Sequence, residues 1–507
     1  MSENKRIAKN TVFLYIRMLL IMGVSLYSSR ILLKSLGFDD YGLYNVVGGI
    51  VTMFTFLNGS LSAATSRFIT VEISHGNQLK LNKVFSTSFI THIIIALIIV
   101  VLCETIGLWF FYNKMVIPPD RLNAAIWVFH LSIISSFFTL TQVPYNALII
   151  AYEEMRIYAY VGIVEAVARL LVVFAIAISP IDKLVFYAVL LCLLQVSILM
   201  YYRYYCKKRY AASHLKFTKD TPLLKEMLSF AGSDIIGQIS VLAQGQGLNL
   251  LLNIFFGPTV NAARAIAYQV QGAVTQFSNN FMTAVKPQII KQYTQGRIDD
   301  MMALVTASSC FSFYLMWMIS LPIILKAPYI LSLWLGEFPE HTVSFLVLVL
   351  ILCMIQTIKT PRTTVFHATG HIKLTNIIVG GILCMSLPVA YLFLKLGFAP
   401  ESVFLSAILT MVVSEFASVL ILRKYIDYSI KKYMLNVHLR CLIIALVSFV
   451  APYFIVKFYL VNSFVHLLFT IFVTTLAIFV TVWFLGLSKS MKTKVKSMVG
   501  KLLVKFV

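Results

Sequence analysis

The sequence predicts an all-α polytopic membrane protein of about fourteen transmembrane helices: two parallel six-helix repeats followed by two C-terminal helices. Three observations predict it. Of 507 residues, 59% are hydrophobic and only 12% charged, with a mean hydropathy of +0.86, which leaves too little polar surface for a water-soluble globular domain. Apolar runs long enough to cross a bilayer recur from end to end between short polar connections. The chain also matches itself, faintly, when displaced by 220 positions.

The runs place helices at roughly 11–35, 42–66, 84–112, 123–150, 157–178, 183–205, 226–254, 259–285, 301–326, 342–366, 373–396, 401–422, 438–459 and 463–486. The seventh and eighth are polar enough for hydropathy alone to miss. No separate soluble domain fits between the spans. An even number returns both termini to one face, and the basic residues choose which. With the termini inside, 31 of the 42 Lys and Arg fall on inner segments, Lys359 and Arg362 among them. Eight sit at outer ends and loops, and three, Arg17, Arg169 and Arg264, lie within helices. Cytoplasmic loops hold the excess of Lys and Arg, so both termini are expected to be cytoplasmic. The net charge of +22 then records topology. The tail "SKSMKTKVKSMVGKLLVKF" reads as a basic amphipathic segment on anionic lipid, and no nucleic-acid partner is expected. "MSENKRIAKN" leads into a segment too long for a cleavable signal's apolar region.

The 220-residue shift sets "SLGFDDYGLYNVVGG" (35–49) on "FFGPTVNAARAIAYQ" (255–269), Gly37 on Gly257, Gly76 on Gly296 and Ser88 on Ser308. Six helices precede residue 220, so the repeats keep the same orientation and are related by an axis along the membrane normal. The expected divisions are an N-terminal lobe at 1–219, a C-terminal lobe at 220–437, helices 13 and 14 at 438–487, and a tail at 488–507.

Helical spacing gathers Asp234, Gln238, Gly245, Asn249 and Asn253 on one face of the seventh helix. Arg264, Tyr268, Gln271, Thr275 and Asn279 share a face of the eighth, and Tyr41, Tyr44, Asn45, Gly48 and Thr52 a face of the second. An arginine at mid-membrane costs about 3 kcal/mol on insertion scales, so these stripes must face protein or water. A hydrated cavity is the expectation, with isolated Asn and Gln residues also serving to bind helices together. Arg17 and Arg264 have no carboxylate three or four residues away. Their planar guanidinium groups suit phosphate. Glu165 and Arg169 stand four apart and are expected to pair. Asp234, Glu165 with Arg169, Glu104 and Glu415 are the candidates for coupling to an ion gradient, H⁺ or Na⁺, Asp234 first because of its polar face.

The segments "KNTVFLYIRM" and "SSRILLKSLGFDDYGLYNVVGGIVTMFTFLNGSLSAATSRFI", with the repeated six-helix design, resemble the Wzx-type polysaccharide flippases. These belong to the multidrug/oligosaccharidyl-lipid/polysaccharide (MOP) exporter superfamily, which includes MATE transporters and the lipid II flippase MurJ. The resemblance covers nearly the whole chain and implies a V-shaped MATE-like bundle. It implies alternating-access transfer of an undecaprenyl-pyrophosphate-linked oligosaccharide, an O-antigen or capsule repeat unit, across a bacterial inner membrane. It also implies a cationic lumen, to which Arg17 and Arg264 correspond by position, with Arg30 and Arg67 nearer helix ends. A polysaccharide polymerase and a chain-length regulator are the implied protein partners. MATE transporters often carry an Asp in the first helix, where this chain has Arg17 and no acid. A lipid II flippase and a MATE-type exporter remain the alternatives within the superfamily.

A polymerase, ligase or glycosyltransferase is the alternative from a different class. The pair Asp39–Asp40 is its best catalytic candidate, and the other reading of "LGFDDYG" is a turn. Short outer loops disfavour the enzyme. No G-x-x-x-x-G-K-[ST] pattern offers an ATP site. His367 and His371 lack the Glu of a zinc protease, and the seven cysteines show no paired spacing, so neither metal, organic cofactor nor disulfide framework is expected.

Overall fold

The structure, a computed structural model of the chain, describes the backbone of residues 3–54, 65, 68–69, 72–73, 76–152, 154–215, 222, 224–225, 239–458, 463–487 and 492. Within these it describes side chains from Leu19 onward, except at 54, 155–156, 158–159, 283–284, 287 and 458. The described residues form helices and connections without a strand. Among the described residues, twelve helices are long and apolar enough to cross a membrane. The first of these joins two arms, α1 (3–36) and α2 (38–54), across Gly37, whose φ of 79° and ψ of 176° break the helix. A further helix, α8 (Pro258–Thr294), is 37 residues long yet too polar to be counted by composition. Dividing the first and adding α8 gives the fourteen expected, an all-α polytopic membrane protein.

The others are α3 (Gln78–Lys114), α4 (Pro119–Ala151), α5 (Met155–Ala177), α6 (Lys183–Arg209), α7 (Ile239–Phe256), α9 (Ile298–Leu325), α10 (Thr342–Thr369), α11 (Ile372–Lys395), α12 (Ser402–Leu422), α13 (Ile430–Lys457) and α14 (Phe464–Gly486). α3 begins six residues before the apolar run because Asn77 caps it, its Oδ1 accepting from the Lys80 amide at 3.0 Å. α13 likewise starts early, on Ser429, whose hydroxyl oxygen accepts from the Lys432 amide at 3.2 Å.

The repeat is written into the backbone. Gly37 and Gly257 share φ 79° with ψ near 180°, and Gly76 and Gly296 have φ 67° and 70°. A residue with a Cβ is strained in these conformations, which is why glycine recurs at the same offset. Ser88 and Ser308 are both buried and both donate back to the carbonyl four residues earlier. Some residues meet their own counterparts: the Thr259 hydroxyl donates to Asp39, exactly 220 positions away. A Cβ on Gly42 would collide with the Pro258 carbonyl at 1.9 Å and crowd the amide of Ala262, its counterpart. Only glycine lets α2 and α8 cross this closely.

Packing divides the chain into two units that do not follow the sequence halves. The first holds residues 1–269, 334–342 and 376–410; the second holds 270–333, 343–375 and 411–507. α7 and the start of α8 join the first because they pack on α2. Leu43, Val46, Val47 and Ile50 of α2 form the core of that unit with Ile99 of α3, Val128 and Phe129 of α4 and Leu184 of α6. In the second unit α13 and α14 pack on each other and on α9. Apart from Lys492, the basic tail lies outside the described residues.

Candidate functional site

In the first unit, α7 changes from α to π winding over Ala243–Gly247, "AQGQG". A π turn disturbs the regular i to i−4 ladder and is frequent at functional positions. Arg264 of α8 exploits it: its Nη2 donates to the Gly245 carbonyl at 2.6 Å, and its guanidinium lies 4.0 Å over the Tyr268 ring. The side chain is 7% exposed, and among the described residues no carboxylate pairs with it. One neutral acceptor and one aromatic face offset only part of the desolvation of a guanidinium, which is several kcal/mol.

Gln246, the next residue of the π turn, opens onto a cavity of about 480 Å³. Tyr44, Asn45, Gly48 and Thr52 of α2 line it with Ser132, Ser135 and Thr139 of α4, Arg169 of α5 and Gln195 of α6. Gly49 keeps room for the Gln246 side chain, whose Oε1 would be 2.8 Å from an added Cβ. Among the described residues Arg169 is the one charged residue on the wall; its Nη2 donates to Glu165 at 2.9 Å, so the expected pair forms. Gln195 donates to Gln142 at 3.0 Å, and Tyr44 packs edge-on against Tyr187 with centroids 4.9 Å apart. The lining therefore mixes hydroxyls, amides, an aromatic ring and one neutralised cation with the apolar Val51, Leu131, Leu140, Ala188 and Leu191, a surface that can take a ligand with both polar and apolar faces.

The second unit holds an ion cluster. Arg362 of α10, wholly buried, pairs with Glu415 of α12 at 2.5 Å and donates to Ser418 at 3.1 Å; His438 Nε2 of α13 lies 3.0 Å from the same carboxylate. The distribution of basic residues assigns Arg362 to an inner segment, and the structure adds that it lies within α10, buried against Glu415. The repeat offset could have found it, since shifting by 220 sets Arg362 on Gln142 and Glu415 on Gln195.

The remaining candidates are distributed more widely than the sequence suggested. Arg67, Asp234 and Gln238 lie outside the described residues, as does the side chain of Arg17. Arg30 is exposed near the end of α1. Asn249 and Asn253, expected on a cavity wall, are buried braces instead: Asn261 donates to Asn249 Oδ1 at 2.8 Å, and Asn253 Oδ1 accepts from the Val116 amide at 2.9 Å. A fully buried amide finds protein partners before water. Tyr41 is also buried behind the cavity, its carbonyl accepting from Asn45. The α8 stripe is split between units: Arg264 and Tyr268 fall in the first, Gln271, Thr275 and Asn279 in the second. Glu104 lies 2.9 Å from His130. Asp39 and Asp40 open α2. Arg121 clamps Asp40 through Nη2 at 2.5 Å and Asp182 through Nη1 at 2.6 Å. Burial raises the Asp182 pKa, but Arg121 and the amides of Val185 and Leu184 hold it below the ordinary carboxylate value.

Among solved structures the chain is similar to an inward-facing multidrug resistance transporter of the MATE family and MOP superfamily, with TM-score 0.68 and 16% identity over 82% of this chain and 99% of that one. It is equally similar to the lipid II flippase MurJ in an inward closed conformation, with TM-score 0.68 and 13% identity over 94% and 98%. A third similar structure is a MOP-superfamily transporter from Pyrococcus furiosus, described by the reverse polarity of its binding pocket, with TM-score 0.62 and 16% identity over 84% and 96%. These likenesses show that the fold is that of MOP-superfamily transporters. No protein-family model matches the chain, and no curated protein matches it by sequence.

Proposed function

We propose that this protein is a MOP-type flippase. It moves an undecaprenyl-pyrophosphate-linked oligosaccharide by alternating access across a bacterial inner membrane, driven by an H⁺ or Na⁺ gradient, with both termini cytoplasmic. The observation that carries the reading is Arg264: a buried guanidinium held by one carbonyl and one ring, with no described carboxylate. A pyrophosphate supplies the missing counter-charge, and its paired oxygens match the planar donors. The neighbouring hydroxyl- and amide-lined cavity supports sugar binding, and the likeness to MurJ and MATE structures supports transport. The enzyme reading weakens because Asp39 and Asp40 are occupied by Thr259 and Arg121.

The test is a leaflet-resolved assay of the lipid-linked oligosaccharide in cells lacking the protein, complemented with wild type, Arg264→Lys or Arg264→Ala at matched membrane abundance. Loss of charged hydrogen bonds worth about 1.5–3 kcal/mol predicts roughly 10- to 100-fold slower translocation for Arg264→Ala. Arg264→Lys, which keeps charge without the fork, should fall between. Normal translocation by Arg264→Ala removes that residue from the mechanism. Sugar that crosses without the protein but stays unpolymerised or untransferred points to an enzyme.

A further inference from the structure

A second cavity, of about 560 Å³, lies within the second unit, at the ends of α9, α13 and α14 that the distribution of basic residues assigns to the cytoplasmic side. One wall is a face of α9 running from Asp299 through Ala303, Thr306 and Ala307 to Tyr314. At 1.5 Å per residue that wall extends about 22 Å inward. The opposite wall is α13, where Lys432, Asn436 and Arg440 recur every four residues and so share one side.

The charges on these walls are not matched to one another. Among the described residues no ion pair joins Asp299 to Lys432 or to Arg440, and Arg440 donates only to Asn436 Oδ1, at 3.2 Å. Asp427, also on the lining, is held by Arg423 at 2.5 Å. At the inner end the Tyr314 hydroxyl is buried, with the weakly polar Cys310 thiol as its neighbour and no described oxygen or nitrogen partner. Gly486 of α14 leaves that hydroxyl room, since an added Cβ would stand 3.1 Å from it. A buried hydroxyl with only a thiol beside it, and an arginine held by one amide oxygen and no described carboxylate, leave donors in this cavity that an anionic acceptor would satisfy.

The order of the groups along the membrane normal narrows the ligand. Asp299, in the first turn of α9, is outermost; Arg440 and Tyr314 are innermost. In a zwitterionic aminophospholipid the ammonium likewise lies outward and the phosphate inward, next to the glycerol and acyl chains. We propose that this cavity binds an aminophospholipid headgroup. The phosphate sits between Lys432 and Arg440, the ammonium reaches Asp299, and Tyr314 donates to a phosphate or ester oxygen. Apolar side chains continue from the cavity toward the lipid: Phe311 on its wall is 37% exposed, and Phe484 beside Gly486 is 69% exposed. A purely anionic headgroup would gain nothing from Asp299.

The site is tested by native mass spectrometry of the purified, delipidated full-length protein titrated with phosphatidylethanolamine or phosphatidylglycerol, with inorganic phosphate as competitor. Wild type should retain phosphatidylethanolamine about fivefold or more over phosphatidylglycerol. Asp299→Asn should abolish that preference without loss of total binding, and Lys432→Gln/Arg440→Gln should lower retention of both lipids about tenfold. Thr306→Trp fills the cavity without altering charge and should lower retention similarly; monodisperse elution confirms that each variant is folded. Phosphatidylglycerol preferred over phosphatidylethanolamine, equal retention of the two by wild type, or displacement by millimolar phosphate alone would overturn the assignment. Unchanged retention in Lys432→Gln/Arg440→Gln would do the same.

Discussion

Two repeat-equivalent positions carry different chemistry. In the first half, α4 and α6 are joined by Gln195 donating to Gln142; in the second, α10 and α12 are joined at the same offset by Arg362 and Glu415. Each repeat thus carries a polar brace between its fourth and sixth helices, neutral in the first and ionic in the second. A neutral pair costs little to bury, whereas two ions must recover their lost hydration from each other. The neutral brace leaves Gln195 on a cavity wall, while the ionic one is sealed with Ser418 and His438. Arg264 extends the pattern, because its first-half counterpart is Tyr44.

The largest expected effect comes from halving the ionic brace. Glu415→Gln strands a buried guanidinium and should lower stability by about 3–5 kcal/mol, read by denaturant unfolding in detergent. Arg362→Gln/Glu415→Gln, which copies the first half, should recover most of that loss; a double variant as unstable as the single would mean the two braces are not equivalent. A smaller effect is expected from the neutral brace. Gln195→Leu should cost about 1 kcal/mol through the lost hydrogen bond, in the same unfolding assay, and a cost matching Glu415→Gln would erase the distinction between the halves. The smallest effect lies outside the spans, at a further carboxylate of the first half. Glu154 accepts from the Tyr205 hydroxyl and from Arg209 Nε at 3.3 Å; burial raises its pKa, but these hydrogen bonds bring it below the ordinary 4.5. A depressed carboxylate contributes stability above about pH 4.5 and loses it as pH falls through the lowered value. Stability should be flat from pH 7 to about 5 and decline below, and Glu154→Gln should flatten that decline.

Much of the fold was legible because its causes are local. Apolar run lengths gave the spans, and Gly37, Gly76, Gly257 and Gly296 marked the repeat where the backbone takes positive φ. The site was legible only in part. Helical spacing assigns residues to a face but not to what that face meets. Tyr44 and Asn45 reached a cavity, while Asn249 and Asn253 on a similar stripe met Asn261 and Val116. The pairing of Arg362 was not legible, because a cation near the end of an apolar run reads as an inner-segment residue unless its distant partner is known. Glu415 is 53 positions away, and only the offset comparison links them.

The contact between Thr259 and Asp39 bears on how such a chain could arise. A residue close to the axis that relates two halves meets its own counterpart. Two identical six-helix polypeptides paired in this way would set aspartate against aspartate, and the like charges would repel. Joining the copies into one polypeptide lets the two positions diverge, so that a hydroxyl faces the carboxylate and donates to it. The fused gene gains an asymmetry at its own centre that no homodimer could encode.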